Sequence, residues 1–111
     1  MNLQLLLVTF SLRNPQRDYN DFFVALRGNA TNWWHFIEQT AVVSTHHSSH
    51  EFARLLIPTI ETTDSLLVSE IDVATCQGWL PPQAWKWFRE VSQARHLEEL
   101  RNLLPRPLGK P

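Results

Sequence analysis

The chain has 111 residues, 43% hydrophobic and 19% charged, a length that supports one domain with its own core and leaves no room for two. Its formal charge of −1, from ten basic and eleven acidic side chains, excludes non-specific coating of nucleic acid, so any such contact must rest on a local patch. The single cysteine, Cys76, excludes an intrachain disulfide and fits a reducing, cytoplasmic setting.

The first element is "LQLLLVTFSL", Leu3 to Leu12. A nearly continuous apolar run without a breaker predicts a central strand covered on both faces. It lacks a basic leader and a cleavage site and is too short to span a bilayer, so it is not read as a targeting segment and no membrane partner is expected. "RNPQ" follows as a turn, with Pro15 after Asn14. In "DYNDFFVALRG", Tyr19, Phe22, Phe23 and Leu26 share one helical face, with Asp18 expected to cap the start and Gly28 the end.

"WWHFI" and "TAVVS" predict two short strands, bent or bulged around Glu38 and Gln39. "SSHEFARLLIP" opens a second helix. Ser48 and Glu51 form a capping box, Phe52, Leu55 and Leu56 lie on one face, and Pro58 ends it. "DSLLVSEID", Asp64 to Asp72, is a last strand. "GWLPPQAWKWFREVSQARHLEELRNLL" predicts a long helix with a break near His96. Trp85, Phe88 and Ser92 are expected on one face, Trp87 and Val91 on another, and Leu97, Leu100 and Leu104 resume an apolar stripe. The domain is expected over 1–104, with the proline-rich 105–111 as a flexible tail.

Right-handed crossovers fold the order strand, helix, strand, strand, helix, strand into an α+β, ferredoxin-like βαββαβ antiparallel sheet with both helices on one face. The other face is left for the aromatic-rich C-terminal helix.

Adjacent tryptophans sharpen that picture. On a strand, Trp33 and Trp34 point to opposite faces. One belongs under the helix layer, and the other needs the C-terminal helix or a second subunit to cover it. The expectation is a homodimer with Trp33, Trp34, Trp85 and Trp87 at its interface; full cover within one chain is the alternative.

"NWWHFIEQTAVV", "TTDSLLVSEI" and "GWLPPQAWKWF" resemble the small bacterial SinR-like proteins. That group is related to the small CRISPR-associated endoribonuclease and spacer-integration family and, more distantly, to VapD-type toxins. The resemblance runs from about Leu3 to Phe88 and implies a ferredoxin-like fold, a homodimer and, for the CRISPR-associated branch, contact with nucleic acid. In that branch an aspartate ending the first strand is thought to hold a divalent metal. The matching position here is Ser11, in "TFSLRNPQRDY". A hydroxyl does not supply the anionic oxygen that a hard cation prefers, so the nuclease activity is not carried over. A divalent metal would belong only to that alternative, with Asp18 or Asp72 as substitutes; no other cofactor and no metal site is expected.

Other side chains are candidates for chemistry. Arg13 and Arg17 flank the turn before the first helix, where guanidinium groups beside free N–H groups can seat a phosphate. His46 and His50 have helical metal-ligand spacing, but the cap at Ser48 puts His46 outside the helix. His35 is expected to bond a backbone carbonyl, Glu70 to sit on a half-exposed strand, and Cys76 to be inert. No catalytic set emerges. The functional expectation is a small homodimeric nucleic-acid-binding or assembly module, with a metal-dependent endoribonuclease or toxin, or a protein-binding regulatory module, as alternatives.

Overall fold

A computed structural model describes residues 2–103 of the chain. Among them, β1 (Gln4–Ser11), β2 (Asn32–Ile37), β3 (Thr40–Thr45) and β4 (Ser65–Glu70) form one antiparallel sheet in the order β2-β3-β1-β4. Helices α1 (Asn20–Gly28), α2 (Ser49–Leu56) and α3 (Pro82–Leu103) cover its faces. None is long and apolar enough to cross a membrane. Leu104 and the expected tail 105–111 lie outside the described residues.

The inner strand β1 pairs with β3 from Gln4↔Thr45 to Thr9↔Thr40, and with β4 from Leu6↔Glu70 to Ser11↔Ser65. Being covered on both sides explains its unbroken apolar run. Leu6, Val8 and Phe10 enter one core, and Leu5 enters the other with Leu7 packed against it.

On the first face, those side chains with Ala41 and Val43 meet Phe22 and Leu26 of α1 and Phe52 and Leu56 of α2. Phe10 and Phe22 pack edge to face with centroids 5.0 Å apart. The capping box of α2 forms as the spacing predicts: Glu51 N–H donates to Ser48 Oγ at 3.1 Å, and Ser48 N–H donates to the Glu51 carboxylate at 2.9 Å. The boundaries of α1 differ from expectation. Tyr19 occupies the N-cap position, and Asp18 instead accepts the Asn20 N–H at 2.9 Å. Gly28 is still helical, and Asn29 is the C-cap.

On the second face, Ala84, Phe88 and Val91 of α3 pack on Leu5, Trp34 and Val42. This stripe, at i, i+4 and i+7, draws one residue from each of the two predicted faces, with Trp85 and Trp87 flanking it. The expected break near His96 does not occur: α3 is continuous for 22 residues. Its far half is pinned near the sheet's end. Glu98 accepts from His46 Nε2 at 2.8 Å and from the Leu3 N–H, and Asn102 donates to Asn2 at 2.6 Å.

Consequently α3 runs from the outer strand β2 past the start of β1. At the other end of the same face, the ladder places Thr9 beside Thr40 and Leu67, and Ser11 beside Ser65. These side chains stay half-buried or exposed.

Candidate functional site

The paired tryptophans part company. Trp33 pairs with Val43 and so lies on the first face; Trp34 pairs with Val42 and lies on the second. Trp34 is only 4% exposed, with ring centroids 5.7 Å from Phe88 and 6.4 Å from Trp87. α3 therefore covers most of it within one chain. Its indole N–H is buried without a hydrogen-bond partner among the described residues. Trp33 stays 42% exposed on the outer strand, with the Arg27 guanidinium 5.7 Å above its ring. Trp85 and Trp87 are half-buried, and Trp87 Nε1 donates to Asn32 Oδ1 at 2.9 Å.

Around them lies an aromatic edge. Strand β2 is outermost, and beyond Trp33 it also exposes Phe36 (44%) and Ile37 (47%). Its register shifts between Trp34 and Ile37, where the strand bends before the turn at Glu38 and Gln39. Between β2 and α3 a groove of about 400 Å³ is lined by Trp34, Phe36, Trp87, Gln83 and Glu90, among others. Phe36 and Ile37 were not singled out from the sequence. The available signal was that "WWHFI" fails to alternate, which on an outermost strand leaves apolar groups facing water.

No family model, curated protein or solved structure matches this chain.

The geometry assigns the two turn arginines different roles. Arg17 Nη1 contacts Glu61 Oε2 at 3.1 Å, and its Nη2 donates to Thr59 O at 2.9 Å. Glu61 also accepts from Asn14 Nδ2. Arg17 thus joins the β1–α1 turn to the segment before β4, with its charge met internally. Asp64 completes the clamp by accepting from Arg13 N at 2.8 Å, Tyr19 OH at 2.9 Å and Glu61 N at 2.9 Å. Desolvation pushes the Asp64 carboxyl up, but these N–H and O–H donors and the Arg17 charge outweigh it and hold the group below the usual carboxylate range. Desolvation raises the Tyr19 phenol, and the neighbouring carboxylates raise it further, against the opposing Asn14 N–H. Only the Arg13 guanidinium keeps an open aspect, with Nε donating to Ser11 Oγ at 3.3 Å and the residue exposed. The sequence did not reveal this clamp because the acidic partners lie 44 to 51 positions along the chain.

The remaining candidates hold local structural posts. His35 Nε2 lies 2.7 Å from Glu38 O, as the sequence predicted, and its ring stacks near Phe23. His46 bonds Glu98 across the fold rather than pairing with His50, and among the described residues no three His, Cys, Asp or Glu side chains gather to hold a metal. Asp72 caps the turn after β4, and Cys76 Sγ donates to its carbonyl at 3.4 Å. Burial, then the Asp72 charge, pushes the Cys76 thiol up, away from nucleophile chemistry. Glu70 and Asp72 line a cleft of about 500 Å³ with Ser92, Arg95 and Glu99 of α3. Arg95 and Glu99 are 4.0 Å apart there, so opposite charges already face each other.

Proposed function

We propose that this chain is a small cytoplasmic assembly module that acts as a homodimer of ferredoxin-like subunits, in keeping with its resemblance to the SinR-like proteins. The fold supports the subunit class: read from the β4 edge, the order is 4-1-3-2, and each βαβ unit straddles one strand. The observation that carries the function is the edge strand β2, which leaves Trp33, Phe36 and Ile37 each more than two-fifths exposed on one border. Contiguous exposed aromatics are costly to leave in water, and they are the residue class that contributes most at interfaces.

Sedimentation velocity over a dilution series tests the reading. A concentration-dependent dimer is expected, weakened by Phe36→Ser; a monomer at all concentrations overturns it.

Nucleic acid is the second reading, favoured by one arrangement: Arg27 lies over Trp33, and cationic and aromatic groups together form a surface on which bases stack. Arg13 is the exposed cation of the first turn, whereas Arg17 is spent on Glu61. A low-salt gel shift weakened by Arg13→Ala and Arg27→Ala supports this reading, and unchanged binding removes both residues. Magnesium- or manganese-dependent RNA cleavage would instead favour the endoribonuclease alternative, acting through a carboxylate other than one at Ser11.

A further inference from the structure

Trp79 is 98% exposed, the most exposed of the large apolar side chains among the described residues. Both of its surroundings are fixed. Leu80, next along the chain, packs against the α3 core cluster, and Gly78 before it bends the backbone at φ +155°, a conformation that favours glycine. The connection it occupies also has a defined course. β4 ends beside the start of β1, where Ile71 N–H donates to Leu5 O at 2.9 Å, and α3 begins beside the outer strand β2. The connection therefore returns from the β1 end of the sheet to α3 and holds Trp79 in solvent between Gly78 and the packed Leu80.

We infer that Trp79 is the anchor of the homodimer, inserting into the groove between Phe36 and Trp87 of a second copy. This rests on the assembly reading and names its central contact. One chain bears both the protruding indole and a groove of about 400 Å³ lined by Trp34, Phe36 and Trp87. In a two-fold dimer such a pair is self-complementary, because each copy donates the knob and receives it. The available area also fits a second copy. At ~150–250 Å² per large apolar side chain, Trp79 with the free parts of Trp33, Phe36 and Ile37 offers roughly 350–580 Å² of apolar surface. That range spans the ~56–65% apolar share of the ~800 Å² each partner contributes to a standard interface. A buried central tryptophan ringed by lesser contacts is the usual form of an interface hot spot.

The test compares wild type with Trp79→Ala and Trp79→Phe by sedimentation velocity over one concentration series. Thermal melts at high dilution check that the monomers fold alike, as expected for a side chain that packs on nothing. Trp79→Ala should weaken dimerisation at least ~30-fold, and Trp79→Phe much less. A photocrosslinker at position 79, in a mixture of heavy- and light-isotope chains, should join it to Phe36 or Trp87 of the other copy. If wild type dimerises and Trp79→Ala dimerises equally well, the anchor is overturned while the assembly reading stands. If wild type stays monomeric throughout, both fall.

Discussion

The two faces of the sheet are built from the same strands and closed in different ways. On the first, two short helices lie side by side and seal a core in which Phe22, Phe52, Leu6, Val8, Val43 and Leu56 are all but inaccessible. On the second, one long helix covers Leu5, Val42 and Trp34, and half the face is left to hydroxyl side chains and Leu67. A pair of helices spans a four-stranded sheet, whereas a single helix about 10 Å wide does not. The lesson is that Phe36 stays in water on the border that one helix cannot close.

Truncations in the two cores should break this comparison most sharply. Phe22→Ala opens a cavity under both α1 and α2 and is expected to cost about 3–5 kcal/mol, read as a lowered urea midpoint. Phe88→Ala is expected near the lower end, about 3 kcal/mol, because the second core is smaller and open at one end. Amide exchange should then accelerate across α3 before α1 or α2. Equal acceleration everywhere would show that the two faces unfold as one unit.

A smaller effect comes from the helix start on the first face. Ser48→Ala removes one half of the capping box and should cost about 1 kcal/mol, loosening the first turn of α2.

The pH dependence separates the faces electrostatically. Glu51 is held below the usual carboxylate range chiefly by the Ser48 N–H, and Glu98 chiefly by its hydrogen bond to His46 and then by the Leu3 N–H. Asp64 is depressed as well, although desolvation opposes it. Each group binds its proton more weakly folded than unfolded. Acid therefore favours the unfolded chain: their contribution is complete above the ordinary carboxylate range near pH ~4 and disappears as pH falls through the lowered folded values. Glu98→Gln should flatten that acid limb and free the end of α3, whereas Glu51→Gln should flatten it without touching α3. Identical amide-exchange patterns in the two variants would refute the assignment. The smallest change in stability is expected for Phe36→Ser, within about 1 kcal/mol, since the exposed side chain leaves no cavity; its effect should appear in association instead.

Much of this fold was legible along the chain. The continuous apolar run Leu3–Leu12 announced an inner strand, the Ser48–Glu51 spacing fixed the start of α2, and the polar pair Glu38–Gln39 marked the hairpin. These are local signals, decided by steric preference and nearby hydrogen bonds. The buried stripe of α3 was not legible, because a helix with aromatics on several faces does not say which one meets the sheet. Nor was Arg17's fate, since a guanidinium in a turn looks the same whether it waits for a phosphate or for Glu61.

By itself, then, the sequence determined the elements, their order and the opposite facing of Trp33 and Trp34, because the strand's two-residue period requires it. Only the tertiary structure decided which indole was sealed, that Arg17 closed an internal clamp and that Trp79 stood clear of the fold. Those outcomes depend on contacts between segments far apart in the chain, where packing and charge pairing, not local preference, set the result.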